Sequence, residues 1–105
     1  MVTYLECPDL HRNPAWGETS RMIERAIIDS ARKNEVDFVA LVGDYWDAAI
    51  LATDKGGINE AIAFVRELRS ICPIVAVYGT RSHDAPGSYG PLSEWVTMLE
   101  PGKMY

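Results

Sequence analysis

The sequence contains few cysteines, few basic residues and no long apolar run. Its two cysteines, Cys7 and Cys72, are too few for a disulfide scaffold, and neither belongs to a CxxC pair of the metal-binding kind. We therefore expect a reduced, cytoplasmic protein. Because no apolar stretch approaches the ~20 residues of a membrane span, and no basic region followed by an apolar one opens the sequence, we expect neither a membrane segment nor a signal peptide.

The charge balance is acidic, with 10 Lys and Arg against 15 Asp and Glu and a net charge of -5. Such a balance argues against a broad basic surface for nucleic acid or anionic lipid. A phosphate-bearing substrate would then need a local source of positive charge. With 105 residues, 48% of them hydrophobic and 24% charged, the chain fits a single domain over residues 1–105.

Short, β-branched apolar runs alternate along the chain with longer amphipathic ones. The short runs are nearly continuous, as in strands buried on both faces of a sheet, and they predict strands at residues 2–5, 38–42 and 74–78. The longer runs predict helices over residues 19–33 and 58–71. On the first helix, we expect the following apolar residues to face the core: Met22, Ile23, Ala26, Ile27 and Ala31.

The alternation of strands and helices predicts an α/β fold, in which right-handed βαβαβ crossovers build a parallel sheet with flanking helices. Gly56-Gly57 predicts a loop before the second helix. A phosphate-cradling role in a nucleotide-binding module would need a GxxxxGK pattern that this pair lacks. Residues 79–90 form a long irregular stretch of the kind that often carries function. Residues 91–99 predict a short helix, and residues 103–105 the start of a fourth strand.

Acidic residues and histidines follow the three predicted strands. Both histidines of the chain and four of its seven aspartates occur there, namely Asp9, His11, Asp44, Asp47, His83 and Asp84. In open parallel sheets, ligands bind at the carboxyl ends of the strands, and carboxylates with imidazoles are ligands for Mn²⁺, Zn²⁺ or Fe. Taken singly, each segment has a plainer explanation as a turn, a loop hydrogen-bond pair or, for Trp46, a core aromatic. Their coincidence at three consecutive strand ends favours a metal site.

These segments resemble the motifs of the calcineurin-like metallophosphoesterases. Residues 9–11 (Asp-Leu-His) resemble the DxH motif, residues 43–47 (Gly-Asp-Tyr-Trp-Asp) resemble GDxxD, and residues 79–84 resemble GNHD/E in part. The nearest branch is that of the SbcD-like DNA-repair nucleases, whose first motif continues much like residues 11–13 and whose third is followed by a stretch like residues 86–88. The resemblance implies a metal-dependent hydrolase, and a chain that forms the amino-terminal half of a four-layer α/β/β/α domain.

The resemblance also implies a role for each matching residue. Asp9 and His11 would hold the first metal, Asp44 would bridge two metals, and His83 would stabilise the transition state or protonate the leaving oxygen. Two cations about 3.5–4 Å apart would clamp the phosphate and lower the pKa of an attacking water. Manganese is the first expectation, with zinc or iron as alternatives. Because metal charge would meet phosphate charge, an acidic protein could still bind such a substrate.

Neighbouring side chains would assist these groups. Asp47 and Asp84 would orient His83 or the loops, and Asp84 belongs with His83 in the catalytic motif. Arg81 and Arg12 could contact a phosphate, although a solvated arginine is the alternative for each. Ser82 stands where the family has the asparagine that binds the second metal.

The chain also departs from the family pattern, because no histidine follows His83 to supply the later GHxH motif. Asp9, His11 and Asp44 would give the first metal only three ligands. A different class of function therefore stays open, namely a non-catalytic remnant or assembly module. In either case the sheet face that the missing half would cover should be apolar. We expect that face to be covered by a second copy of the chain or by a carboxyl-terminal half.

Overall fold

The computed structural model describes residues 2–8, 10, 12, 17–43, 45–46, 55–79 and 89–99. Its strands form one four-stranded sheet in the order β1-β2-β3-β4, and every pair is parallel. The strands are β1 (Tyr4–Pro8), β2 (Phe38–Val42), β3 (Ile74–Val77) and β4 (Thr97–Met98), and the helices are α1 (Gly17–Asn34) and α2 (Lys55–Arg69). The predicted α/β fold with a parallel βαβαβ sheet is confirmed.

The predicted elements differ from the observed ones mainly at their ends. β2 has the predicted bounds, whereas β1 begins two residues later than predicted and continues to Pro8. α2 begins at Lys55, so Gly56-Gly57 belongs to its first turn and the predicted loop is wrong. Glycine is costly in a helix interior, but the amides of the first turn have no intrahelical partner in any case.

The chain after β3 also folds differently from the prediction. Instead of a helix over residues 91–99, a single turn of 3-10 helix spans Gly90–Leu92 and is followed by β4. The pairs Val75↔Thr97 and Ala76↔Met98 hold β4 against β3, and the Leu99 amide donates to the Ala76 carbonyl at 2.8 Å. The fourth strand thus lies earlier in the chain than predicted. The strand predicted at residues 103–105 falls outside the described residues.

The core lies between the sheet and both helices. Right-handed crossovers that add each new strand on the same side bring α1 and α2 to one face of the sheet. Strand residues that point to that face are buried together with helix residues; they include Cys7, Val39, Leu41, Ile74 and Ala76 from the strands and Ile28, Ala31, Ala61, Val65 and Leu68 from the helices. No described helix is long and apolar enough to cross a membrane.

The opposite face of the sheet is apolar and only partly buried. We call it the open face. Its apolar side chains include Tyr4, Phe38, Ala40, Val42, Val75 and Val77, and the register also places Pro8, Glu6 and Thr97 on it, on the outer strands. Tyr4 stacks on Phe38 with 5.0 Å between ring centroids, yet 54% of Tyr4 stays exposed. The strands are therefore buried mainly on one face, not on both as their composition predicted.

The buried side of α1 is rotated from the predicted one, so that Ile27 and Ala31 face the core as predicted and the other predicted residues do not. Its buried residues are Ser20, Glu24, Ile27, Ile28 and Ala31, while Met22 is 69% exposed and Ile23 40%. The predicted placement of Met22, Ile23 and Ala26 in the core is wrong. The rotation follows from Glu24, a charged residue that turns inward to meet a buried arginine from the segment after β1.

Candidate functional site

The carboxyl ends of three strands lie side by side at one edge of the sheet. Pro8 pairs with Val42, and Val42 with Val77, so these last residues of β1, β2 and β3 are in register. Each is followed within two residues by the start of a sequence motif. The predicted site residues Asp9, His11, Asp44, Asp47, Arg81, Ser82, His83 and Asp84 themselves lie outside the described residues.

A close backbone approach joins the ends of β2 and β3. Gly43 has a φ of +75°, and a Cβ placed on it would lie 3.2 Å from the Cα of Gly79. The Gly43 amide donates to the Val77 carbonyl at 3.2 Å. Both the left-handed conformation and the lack of space favour glycine directly before Asp44.

The segments after β1 and β2 are hydrogen-bonded to each other. The Arg12 amide donates to the Tyr45 carbonyl at 2.7 Å, and Arg12 forms a parallel β-bridge with Trp46. In sequence, Arg12 directly follows His11, and Tyr45 directly follows Asp44. The first and second motifs are therefore joined through their nearest described neighbours.

The side chain of Arg12 is buried between the helices. Its Nε donates to Oε2 of Glu24 at 2.7 Å and its Nη2 to Oε1 of Glu24 at 3.1 Å, which makes a two-armed ion pair with α1. Nη2 also donates to Oε2 of Glu60 on α2 at 3.1 Å. Only 2% of the Arg12 side chain is exposed, so it is not a solvated arginine. Its contact with phosphate stays a prediction.

Tyr45 completes what we call the Arg12 cluster, which consists of Arg12, Glu24, Tyr45 and Glu60. The Tyr45 hydroxyl donates to Oε2 of Glu24 at 3.4 Å, and the residue is fully buried. Burial first, and the charge of Glu24 second, raise the pKa of Tyr45, which stays neutral. Burial alone would lower the pKa of Arg12, but the hydrogen bond and charge of Glu24 raise it, so the guanidinium stays charged.

Further ion pairs connect the two helices around a groove of about 700 Å³, which the Arg12 cluster helps to line. Arg21 pairs with the second oxygen of Glu60 at 3.1 Å, so that Glu60 lies between two arginines. Farther along the helices, Arg25 makes a two-armed pair with Glu67 at 2.7 and 3.0 Å, and this pair is exposed to solvent. The hydrogen bond from Arg25 lowers the pKa of Glu67.

Aromatic rings pack around Tyr45. Trp46 meets it edge-on with 4.8 Å between ring centroids, and Tyr89 lies at 6.1 Å. Trp46 is 1% exposed and belongs to the core, which was the plainer explanation of this residue. Tyr89 in turn contacts Tyr78 edge-on at 4.9 Å. These rings hold the segment after β2 against the chain that leads into β4.

Both cysteines are free thiols in the core. Burial raises the pKa of Cys7 from 9.0 to about 11, with a smaller contribution from the charge of Glu6. Burial likewise raises the pKa of Cys72. Because the thiolate is the reactive form, burial makes both side chains less reactive at neutral pH than an exposed thiol.

Sequence reasoning did not point to Glu24 or Glu60, and it gave no role to Tyr45 within the second motif. One signal for a buried carboxylate was available. Glu24 lies four residues from both Ser20 and Ile28, so it shares one helix side with them, and that side is buried. Within the described ranges, no group of three or more His, Cys, Asp or Glu side chains is arranged to hold a metal. No model of a known protein family matches the chain, and no curated protein is significantly similar to it.

Proposed function

We propose that the chain is the amino-terminal half of a two-metal phosphoesterase that hydrolyses phosphodiester bonds, with DNA as the expected substrate. One observation carries the proposal: three adjacent parallel strands end in register, and each leads into a segment rich in Asp or His. The hydrogen bond between Arg12 and Tyr45 supports it, because it joins the first two of these segments. On this proposal the sheet is one of the two in a four-layer domain.

The donor set fits divalent metal by its chemistry. Asp9, His11 and Asp44 offer carboxylate and imidazole ligands, and Ser82 offers a hydroxyl, which suits Mn²⁺ and also Zn²⁺ or Fe. When bound, the cations supply Lewis acidity toward the phosphate and lower the pKa of a coordinated water. In this chain's own part of the reaction, His83 donates a proton to the leaving oxygen, and Asp84 and Asp47 keep its ring oriented. Arg81 contacts the phosphate, whereas the buried side chain of Arg12, predicted for the same role, is already held by Glu24 and Glu60.

The proposal is tested by metal-dependent hydrolysis of bis-(p-nitrophenyl) phosphate. With Mn²⁺ we expect turnover by the wild type, and we expect Asp44→Asn to abolish it because a carboxylate that would hold the metals is lost. Asp29→Asn is the matched control, since Asp29 is an exposed carboxylate on α1 and should leave turnover unchanged. No turnover with Mn²⁺, Co²⁺ or Zn²⁺ would refute an active enzyme of this length.

The open face favours a second candidate function, that of a non-catalytic assembly module. A parallel sheet is normally covered on both faces, and here the apolar residues of one face are only partly buried. On this candidate the chain associates with a second copy of itself, or with a carboxyl-terminal half, through the open face. Association without Mn²⁺-dependent turnover would favour the module over the enzyme.

A further inference from the structure

We propose that Arg12 is a positioning residue: its buried side chain, held by Glu24 and Glu60, fixes the segment after β1 against the segment after β2. The Arg12 cluster is not part of the predicted ligand set. It connects parts of the chain that are 12 to 48 residues apart. Its consequence for metal binding rests on the function proposed above.

Arg12 makes two kinds of contact in opposite directions. Its backbone amide donates to the Tyr45 carbonyl, while its guanidinium donates to carboxylates on α1 and α2. Tyr45 repeats the pattern, because its carbonyl accepts from Arg12 while its hydroxyl donates to Glu24. Each of the two segments is therefore tied to the other through its backbone and to α1 through a side chain.

The charges of the cluster make this arrangement specific. A two-armed guanidinium–carboxylate pair fixes distance and angle together, which a single point charge would not do. The buried charges of Arg12 and Glu24 are opposite in sign and balance each other. The partly exposed Glu60 pairs with both Arg12 and the exposed Arg21. Removing one carboxylate leaves a buried cation under-compensated, and the loop that carries it has to move to find water or another partner.

The two residues that link the segments are direct chain neighbours of predicted metal ligands. Arg12 is bonded to His11 and Tyr45 to Asp44, and both preceding residues are predicted metal ligands. Metal affinity depends strongly on groups that orient the ligands, with losses of roughly 10–100-fold when such a group is removed. We infer that the Arg12 cluster provides this orientation for the first two motifs.

The first experiment measures amide hydrogen exchange in the metal-free protein by NMR. In Glu24→Gln we expect the Arg12 amide to exchange at least about tenfold faster, because the segment opens locally. The Val39 amide, which donates to the Pro73 carbonyl inside the sheet, reports global opening and should change little. Glu67→Gln is the matched control, since it breaks an exposed ion pair between the same helices. It should leave the Arg12 amide unchanged.

Each outcome bears on the positioning role. Equal acceleration of the Arg12 and Val39 amides would make the cluster a general source of stability and would overturn the role, as would an unchanged Arg12 amide. Should Glu24→Gln fail to fold, Arg12→Lys carries the same test, because lysine keeps the charge and loses the two-armed geometry. Loss of the fold in both variants, with Glu67→Gln folded, would also overturn the role.

The second experiment measures Mn²⁺ affinity by calorimetry on the same variants. We expect Glu24→Gln to bind Mn²⁺ at least about tenfold more weakly than the wild type, and Glu67→Gln to match the wild type. A wild type that binds no Mn²⁺ would refute the proposed function, while the exchange data would still judge the link between the segments. A wild type that binds, with Glu24→Gln binding equally well, would overturn the positioning role alone.

Discussion

Gly43 shows at the scale of one residue how backbone conformation shapes the edge of the sheet where the motifs begin. It ends the run of β2, adopts a φ of +75° and directly precedes Asp44. Its missing side chain also allows the backbone of Gly79 to approach, so two strand ends meet where a larger residue would separate them. Backbone conformation alone thus explains why glycine occupies the first position of the GDxxD-like segment.

We expect Gly43→Ala to destabilise the protein by about 1–3 kcal/mol, because a β-carbon is strained at this φ and presses on backbone that cannot move aside cheaply. Urea denaturation measures the loss. Gly56→Ala is the matched control, since a Cβ there meets nothing within 4 Å and its backbone lies in the first turn of α2. The control should be neutral or slightly stabilising. Equal effects of the two variants would contradict this explanation.

At the scale of the element, α1 shows how one long-range contact sets which side of a helix is buried. Its sequence is amphipathic in a way that allows more than one orientation, with Met22 and Ile23 toward one side, Ile28 toward the other and Ile27 between them. The ion pair between Glu24 and Arg12 selects the second side. Ile28 is then 2% exposed, and Met22 lies in solvent.

We therefore expect Ile28→Ala to cost about 2–5 kcal/mol in the free energy of unfolding, as for large-to-small substitutions in a packed core. Met22→Ala should change it by less than about 0.5 kcal/mol, because an exposed side chain loses little on truncation. Chemical denaturation of the two variants measures the difference. Similar losses would mean that α1 packs through the side that the sequence alone favoured.

Features that depend on local interactions could be predicted from the sequence, and features that depend on long-range contacts could not. β2 could be predicted to the residue because a run of five apolar residues bounded by Asp37 and Gly43 is a local signal. The burial of Glu24 could not, since its partner Arg12 is brought to it only by the folded chain. β4 was missed because two residues give no periodicity, and it exists through pairing with β3. The ligand and catalytic roles of the motif residues stay predictions.

At the scale of the whole molecule, the open face leaves apolar residues of the sheet partly exposed to water. Its central residues, Val75 and Ala40, are apolar neighbours on adjacent strands, and polar residues occur only on the outer strands, as Glu6 and Thr97. A contiguous apolar surface of this kind favours contact with another surface. The two described helices cannot provide that second surface, because both pack on the opposite face of the sheet.

We expect the protein to self-associate through the open face, so that its average mass in light scattering rises with concentration. Val75→Lys should lower that mass toward the monomer, because a charge at the centre of the face would have to be buried on association. Met22→Lys, which adds the same charge to an exposed apolar residue on α1, should associate like the wild type. A folded wild type that stays strictly monomeric at every concentration would contradict this expectation. Equal effects of both variants would show that net charge, and not the open face, controls association.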